Sequence, residues 1–193
     1  MMDNVDQVRL IGLVGLAGCG KDTLASQIEP DGWTRIAFAD ALKDMCVEYL
    51  GLSKDDAYTQ EGKMRFNEFW GMTNREILQK VGTEAFRNGF HKDTWVKIAE
   101  LKVKRLLSEG KKVVVTDCRF DNEAEMIIRL GGVVVQIVRS ELKSVLSKEE
   151  QSHASERGVD VKYVGFAVAN DGTIEEIRDN FYKGMADYLK LIR

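Results

Sequence analysis

The segment from Gly15 to Thr23 limits what this chain can fold into more than any other part of the sequence. It places Gly15, Gly20 and Lys21 in the spacing G-x-x-x-x-G-K, directly after an apolar run and before a helical pattern. Glycines in this spacing let backbone amides turn inward around a polyphosphate, and the following helix N-terminus adds its partial positive charge. The segment predicts a strand, a phosphate-binding loop and a helix. Residues 15–23 form this predicted phosphate loop.

The residue after the lysine departs from the usual form of this motif. Asp22 stands where serine or threonine normally follows, and Thr23 comes one position later. Asp22 could bind Mg²⁺ directly or through water, or it could cap the helix while Thr23 contacts a phosphate and the ion's water shell. Lys21, whose ammonium can reach the β and γ phosphates, and Asp22 are catalytic candidates. The predicted ATP contacts in the loop are Gly15, Ala17, Gly18, Cys19, Gly20, Lys21, Asp22 and Thr23.

Short β-rich runs alternate with longer helical patterns along all 193 residues, which is typical of βαβ units and a parallel sheet. No repeat, low-complexity tract or proline-rich linker marks a boundary, so residues 1–193 are predicted to form one domain. The run VVVQIV is almost wholly apolar, as expected of a central strand covered on both faces. The predicted strands are residues 8–14, 34–38, 112–116, 133–138 and 165–168.

Three helices have recognisable boundaries. Thr73 and Glu76 form a T-x-x-E capping box at the start of one helix. Another begins at Asp93 or Thr94 and ends at Gly110. The last helix carries an apolar stripe that should pack on the sheet, formed by Ile174, Ile177, Phe181, Met185, Leu189 and Ile192.

Composition excludes several classes of protein. A formal net charge of -3 argues against a general nucleic-acid-binding surface, which normally carries a basic excess. The 3 cysteines show no disulfide or zinc spacing. The chain has neither a leader-like N-terminus nor an apolar run of roughly 20 residues, so export and membrane insertion are not expected and a cytoplasmic location is predicted.

Polar clusters follow the predicted strands, at the edge where ligands of open α/β sheets bind. FADALK offers Asp40 and Lys43, although Asp40 is equally interpretable as a helix N-cap. Arg75 and Gln79 lie four residues apart on one helical face. They could bind the molecule that accepts a phosphoryl group from ATP, called the acceptor, or they could form a solvated helix face.

Arg65 and Trp70 precede that helix. A guanidinium at Arg65 could hold an acceptor phosphate, and the Trp70 ring could stack on a base, whereas Trp95 is as plausible in the core.

The segment TDCRFDNEAE delivers Asp117 at the end of an apolar strand, which is Walker-B-like. Asp117 could organise magnesium through water, Arg119 could pair with phosphate, and Glu123 is a further substrate-binding candidate. The alternative is helix capping by Asp117 or Asp121 beside a surface arginine.

The charged segment at residues 140–161 is interpreted as a lid, because kinases must exclude water to avoid hydrolysing ATP. Arg139, just before it, is a catalytic candidate, and the lid candidates are Lys143, His153, Glu156 and Arg157. No acid–base role is assigned to His153, since phosphoryl transfer depends on positioning and charge neutralisation. In the turn NDGT, capping explains most residues, but Asn170, Gly172 and Thr173 could also wrap the adenine of ATP.

Together, the segments GLAGCGKDT, FADALK, TNREILQKVGTE, TDCRFDNEAE, SHASE and NDGTIEEI resemble the bacteriophage-type deoxynucleoside monophosphate kinases, in the same order and over nearly the whole chain. The resemblance implies a P-loop kinase with a three-layer α/β/α fold, a five-stranded parallel sheet of order 2-3-1-4-5, an acceptor-binding insertion at residues 40–95 and the lid. It implies ATP and a deoxynucleoside monophosphate as partners, Mg²⁺ as cofactor, a possible homodimer, and no nucleic acid polymer or membrane. A phage-encoded member would act in the host cytoplasm.

The same resemblance assigns residues of this chain to sites. It assigns the loop through Thr23 to ATP and favours Thr23 for metal contact, as in the GKGT loops of nucleoside monophosphate kinases. It assigns the acceptor pocket or its magnesium to Asp40, Lys43, Arg75, Gln79, Asp117 and Arg119.

Two alternatives to this function stay open. NDGT turns occur in dephospho-coenzyme A kinases and GKD loops in animal-type phosphomevalonate kinases, so another phosphorylated metabolite could be the acceptor. A nucleotide-binding switch is the second alternative. It would typically present a partner surface, whereas the insertion here carries basic and aromatic residues suited to a second ligand.

Overall fold

Five of the apolar runs form one parallel sheet in the structure, a computed structural model that describes residues 7–140 and 158–192. The described strands are β1 (Leu10–Val14), β2 (Trp33–Ile36), β3 (Phe66–Asn67), β4 (Met72–Thr73), β5 (Lys112–Val115), β6 (Val133–Val138) and β7 (Val164–Ala169). The sheet order β2-β5-β1-β6-β7 is the predicted 2-3-1-4-5 when its strands are counted along the chain. The run VVVQIV, strand β6, is interior, but the middle strand is β1.

Helices cover both faces of this sheet. On one face α1 and α8 share a buried cluster with strand residues such as Leu13 and Val135. On the other, Ile127 of α7 packs against the backbone at Gly12 and Gly132. This arrangement confirms the predicted α/β/α layers. The described α-helices are α1 (Lys21–Ile28), α2 (Asp40–Tyr49), α3 (Lys54–Tyr58), α4 (Gln60–Met64), α5 (Asn74–Gln79), α6 (Thr94–Ser108), α7 (Asp121–Arg129) and α8 (Ile174–Leu191).

No helix within residues 7–140 and 158–192 is both long and apolar enough to cross a membrane.

The apolar stripe of α8 packs on the sheet through its middle four members. Ile177, Phe181, Met185 and Leu189 are buried, and the Phe181 ring meets Trp33 edge-on, with ring centroids 6.2 Å apart. The terminal members of the predicted stripe, Ile174 and Ile192, are instead 56% and 59% exposed because they lie at the two ends of the helix. The helix is therefore anchored through its centre.

Polar contacts around Asp31 fix α8 to the turn after α1. The Asp31 carboxylate accepts hydrogen bonds from Arg178 Nε at 3.0 Å, Arg178 Nη2 at 2.7 Å and the Tyr182 hydroxyl at 2.7 Å. The Arg178 guanidinium, more than the Tyr182 hydroxyl, holds the pKa of Asp31 below its ordinary value. Because the native pKa lies below the unfolded one, this stabilisation is present at neutral pH and is lost as pH falls through the native pKa of Asp31.

The chain divides into two compact units, residues 1–37 with 102–193 and Phe38–Leu101. The second contains the predicted insertion at residues 40–95. Its core is built on Cys46, Leu52 and Ile77. The buried Asn74 side chain donates to the Gly62 carbonyl at 2.9 Å. Residues 51–70 contribute helices α3 and α4 and the fully buried Ala57.

The predicted start of α5 and the predicted end of α6 are confirmed. Thr73 caps α5, with its hydroxyl accepting from the Glu76 N–H at 3.3 Å and the Glu76 carboxylate accepting from the Thr73 N–H at 2.7 Å. α6 ends before Gly110, whose φ of 78° suits glycine. There the Lys111 N–H bonds to the Leu106 carbonyl, in the Schellman pattern.

A π-helix at Lys80–Asn88 continues directly from α5, and no sequence pattern indicated it. The Trp95 indole N–H donates to the Gly82 carbonyl at 2.8 Å, and Trp95 is 6% exposed. Trp95 is therefore a core residue that satisfies a carbonyl of the widened helix.

Replacing Phe181 with alanine is expected to lower the free energy of unfolding by about 3–5 kcal/mol, because the fully buried ring leaves a cavity. Ile174→Ala, at an exposed position of the same helix, should change it by less than about 0.5 kcal/mol. Urea denaturation followed by circular dichroism measures both values. Equal losses in the two variants would contradict packing of α8 through its buried stripe.

Candidate active site

The phosphate loop depends on glycines at two points of close approach. Gly15 has a φ of 143°, and a Cβ there would lie 2.6 Å from the Ile137 carbonyl oxygen and 2.7 Å from Cys19 Sγ. Gly20 has a φ of 105°, and a Cβ there would collide with the Asn170 side-chain amide. Other residue types are therefore excluded both by conformation and by space.

α1 begins within the phosphate loop, at Lys21, and its first turn has no side-chain cap. Gly20 is the N-cap residue, and the helix starts with the Leu24 N–H donating to the Gly20 carbonyl at 2.9 Å. Since no side chain caps this end, its amides can serve an anionic ligand. The Lys21 ammonium lies against the loop and donates to the carbonyl oxygens of Gly15 at 2.7 Å and Leu16 at 2.9 Å.

Asn170 ties the loop to the far end of the sheet. Its side-chain amide donates to the Cys19 carbonyl at 2.8 Å, while its backbone N–H donates to the Val138 carbonyl at 2.8 Å. Asn170 therefore positions the phosphate loop, and its predicted contact with ATP stays a prediction.

The rest of the NDGT turn is held by capping, as the sequence interpretation expected. Thr173 is the N-cap of α8, and its N–H donates to the Glu176 carboxylate at 2.7 Å. Gly172 lies so close to that carboxylate that a Cβ would collide with it. The Thr173 hydroxyl accepts from the Glu176 N–H at 3.3 Å, so the helix start uses both the side chain and the N–H of Thr173.

Asp171, in the same turn, holds the residue after Arg139. Its carboxylate accepts hydrogen bonds from the Ser140 N–H at 2.6 Å and the Ser140 hydroxyl at 2.7 Å. These bonds, with a smaller contribution from the charge of Arg139, hold the pKa of Asp171 below its ordinary value. Asp171 therefore stays ionised at neutral pH and fixes the chain just after β6.

Asp22, which departs from the usual motif, pairs with a residue that the sequence did not indicate. Arg35 on β2 donates from Nη2 to Asp22 Oδ1 at 2.6 Å. Asp22 follows Lys21 in the first turn of α1, and Thr23 is half-buried beside it. Arg35 lacked any motif or helical spacing from which this contact could have been predicted.

The segment after β5 forms an acidic surrounding for Cys118. Burial, and then the carboxylates of Glu123, Asp117 and Asp121, raise the pKa of the Cys118 thiol. Glu123, predicted to bind substrate, is 2% exposed and accepts hydrogen bonds from the backbone N–H groups of Arg119 at 2.7 Å and Phe120 at 3.1 Å. Phe120 is the N-cap residue of α7, so neither Asp117 nor Asp121 occupies the N-cap position, and Glu123 accepts from the backbone at the helix start.

Comparison with known proteins identifies the family. The family model described as deoxynucleotide monophosphate kinase matches residues 63–181. A putative deoxynucleotide monophosphate kinase of Acanthamoeba polyphaga mimivirus is 37% identical over 180 residues, which cover 86% of this chain and 91% of the relative. The chain belongs to the deoxynucleotide monophosphate kinase family. The predicted family and enzyme class are confirmed.

Two further similarities concern a phage relative and a solved structure. The deoxynucleotide monophosphate kinase of Escherichia phage RB69 is 29% identical over 136 residues, covering 70% of this chain and 52% of the relative. The structure of dephospho-CoA kinase from Campylobacter jejuni matches with a TM-score of 0.55 at 15% identity, covering 96% of this chain and 99% of that one. The latter likeness shows the fold. The family model begins after residue 23, so roles within the phosphate loop depend on its motif and geometry.

In the second unit, the structure gives most predicted acceptor residues a defined setting. Arg75 on α5 is half-buried, and its Nη2 donates to Gln60 Oε1 at 3.1 Å, while Gln79 is exposed at the end of the same helix. Asp40 is the first residue of α2 and not its N-cap. The Lys43 ammonium lies 4.7 Å from the centre of the Tyr58 ring.

Arg65 and Trp70 have partners that the sequence did not suggest. The Arg65 guanidinium forms ion pairs with Asp55 and with Asp56, the latter at 3.0 Å. The Trp70 indole N–H donates to the Leu50 carbonyl at 2.9 Å, and the ring is 40% exposed. Phosphate binding by Arg65 would have to compete with two carboxylates, whereas base stacking on Trp70 stays a prediction that the exposed ring permits.

The lid residues lie outside the described part of the chain, and their roles stay predictions: Lys143, His153, Glu156 and Arg157.

Asn170→Asp is expected to weaken ADP binding by roughly tenfold or more, because it removes the donor to the Cys19 carbonyl and places an anion against the loop. Isothermal titration calorimetry measures the affinity. Asn180→Asp is a matched control, because Asn180 makes the same kind of bond to the Ala169 carbonyl at an exposed site on α8. Unchanged ADP affinity in a folded Asn170→Asp protein would contradict the positioning role.

Proposed function

We propose that this chain transfers the γ-phosphoryl group of ATP to the phosphate of a deoxynucleoside 5'-monophosphate, giving a deoxynucleoside diphosphate and ADP. The observation that carries the proposal is the glycine loop between β1 and α1, with Lys21 folded against it, in a member of the deoxynucleotide monophosphate kinase family. Such a loop binds polyphosphates through backbone amides.

The loop and Lys21 suit charge stabilisation of the transferred group. In phosphoryl transfer the protein contributes mainly positioning and electrostatic stabilisation of charge on the transferred oxygens. The Lys21 ammonium is already directed at loop carbonyls 2.7 and 2.9 Å away, so phosphate oxygens would exchange with these acceptors. The backbone of the NDGT turn, fixed by Asn170 and Thr173, is the proposed adenine contact.

The oxygen donors that the sequence singled out fit Mg²⁺, which we propose as the cofactor used with ATP. Within residues 7–140 and 158–192 no group of three or more potential side-chain ligands could hold a metal ion by itself. Mg²⁺ usually keeps several waters and binds through one or two protein oxygens plus substrate phosphates, so the donors present are sufficient. The candidates are the Thr23 hydroxyl and the carboxylates of Asp22 and Asp117. When bound, the ion would neutralise charge on the phosphates.

The acceptor contacts are proposed residue by residue. Arg75 and Gln79 on the capped α5, with Asp40 and Lys43 at the start of α2, supply one set of charged and polar groups. Arg119 adds a guanidinium after β5. Arginine suits this role because its fork of donors matches phosphate oxygens.

The catalytic assignment of Arg139 and the wider setting also belong to the proposal. Arg139 follows β6, and the bonded pair of Ser140 and Asp171 defines the chain direction there, which would position a cation near the nucleotide turn. A homodimer and a cytoplasmic site of action, in the host if the gene is carried by a phage, are proposed from family resemblance alone.

Incubation of the protein with ATP, magnesium and single acceptors tests the function. We expect product from one or more of dGMP, dTMP, dCMP and dAMP, and a rate at least about a hundredfold lower in Lys21→Ala, because charge compensation in the transition state is lost. ADP and the phosphorylated product are both quantified. Product only from phosphomevalonate or dephospho-coenzyme A would overturn the acceptor, and undiminished turnover by folded Lys21→Ala would overturn the role of the loop.

Arg75→Ala is expected to raise the KM for the deoxynucleotide about tenfold or more and to leave the KM for ATP within about twofold, because a charge-assisted bond to the acceptor is removed. Steady-state kinetics with each substrate varied measures the split. Lys80→Ala is the control, since its exposed ammonium pairs only loosely with Glu84, at 3.8 Å. Equal increases in both KM values would remove Arg75 from the acceptor side.

A further inference from the structure

Arg35 and Asp22 form an ion pair at the start of α1. The Nη2 atom of Arg35 lies 2.6 Å from Asp22 Oδ1, and the two side chains are 49% and 76% exposed. Arg35 projects from the edge strand β2, while Asp22 is the second residue of α1, directly after Lys21. Both residues belong to the same compact unit.

The stability of the fold does not account for this pair. Exposed ion pairs contribute little to folding, because water and salt screen the attraction and two long side chains lose freedom. The core beneath it, with Leu24 and Ala25 of α1 fully buried, is apolar and needs no surface charge pair. The pair instead affects the electrostatic field at the phosphate loop.

A carboxylate at position 22 is unfavourable for a loop that binds a polyphosphate. Like charges a few ångströms apart repel, and near a protein surface this repulsion is several times stronger than in bulk water. Asp22 lies next to the phosphate-binding lysine, where serine or threonine would carry no charge. A cation bound to Asp22 removes most of this repulsion, and Arg35 is held at hydrogen-bonding distance from it.

We propose that Arg35 is a positioning residue that neutralises the Asp22 carboxylate and holds it towards β2, so that the phosphate loop can accept an anionic nucleotide. The inference rests on the proposed binding of ATP. While Asp22 is bound to Arg35, the Thr23 hydroxyl is the loop's side-chain oxygen for Mg²⁺. The ion pair thus explains how a phosphate loop can carry an aspartate where serine or threonine normally follows the lysine.

A double-mutant cycle tests the coupling by calorimetric titration of ATP in EDTA, where no metal contributes. Arg35→Ala should weaken ATP binding about tenfold, a coupling of the size expected for a close charge partner. Asp22→Asn alone should change it less than about threefold, and Asp22→Asn in the Arg35→Ala background should restore it to within about threefold of wild type.

Controls separate this effect from loss of charge or fold. Lys190→Ala removes one cation from an exposed pair with Asp187 on α8 and should leave ATP affinity unchanged. Thermal melting confirms that each variant is folded. If Arg35→Ala weakened ATP binding equally in the wild-type and the Asp22→Asn backgrounds, the inference would be overturned, because Arg35 would then act independently of the carboxylate.

A second titration, with MgATP, tests the metal part. Asp22→Asn should weaken MgATP binding no more than metal-free ATP binding; a selective tenfold loss with Mg²⁺ would show Asp22 on the metal and overturn the inference. Wild-type protein that binds no adenine nucleotide would overturn the proposed function and this inference together. Wild-type binding and phosphoryl transfer without coupling in the cycle would overturn only the role of Arg35.

Discussion

The close approach of the Gly20 backbone to the Asn170 amide is the contact on which the candidate site depends. A side chain at position 20 would displace Asn170, and without Asn170 the Cys19 carbonyl would lose its donor. Asn170 is in turn held by the Val138 carbonyl at the end of β6. The loop conformation is therefore set by the pairing of parallel strands and not by the loop sequence alone, as expected where the carboxyl ends of strands meet.

Charge around the loop is organised in pairs that leave Lys21 available for exchange. Among the described residues its ammonium is bound by the carbonyl oxygens of Gly15 and Leu16 and weakly by the Cys19 sulfur, whereas Asp22 is bound by the guanidinium of Arg35. A lysine paired with a carboxylate would lose that partner when a phosphate arrived, and the unpaired carboxylate would be costly. Giving the carboxylate a separate cation avoids this conflict between neighbouring residues.

Local patterns were sufficient for most of the fold and much less so for the contacts of the site. Strand runs, the Thr73 capping box and the centre of the α8 stripe follow from local sequence patterns, whereas the sheet order was predicted only through the family resemblance. The π-helix, the burial of Glu123 and the Arg35 pair depend on partners distant in sequence or on backbone geometry without a compositional signal. Arg65 shows the same limit. Its sequence suggested phosphate binding, but in the structure it forms ion pairs with Asp55 and Asp56, which no local pattern predicted.

The turn before α8 shows how one short segment can serve structure and chemistry together. Thr173 and Glu176 satisfy the helix start, so the turn is rigid without a ligand. The Asp171 carboxylate accepts two hydrogen bonds from Ser140, which fixes the chain after β6 to the same turn. Because Asn170 bonds to Cys19 and Asp171 bonds to Ser140, a displacement of the turn would disturb both contacts. Because the turn is already held by these bonds, a ligand that binds it would meet the loop and the residue after Arg139 in fixed positions, at little additional entropic cost.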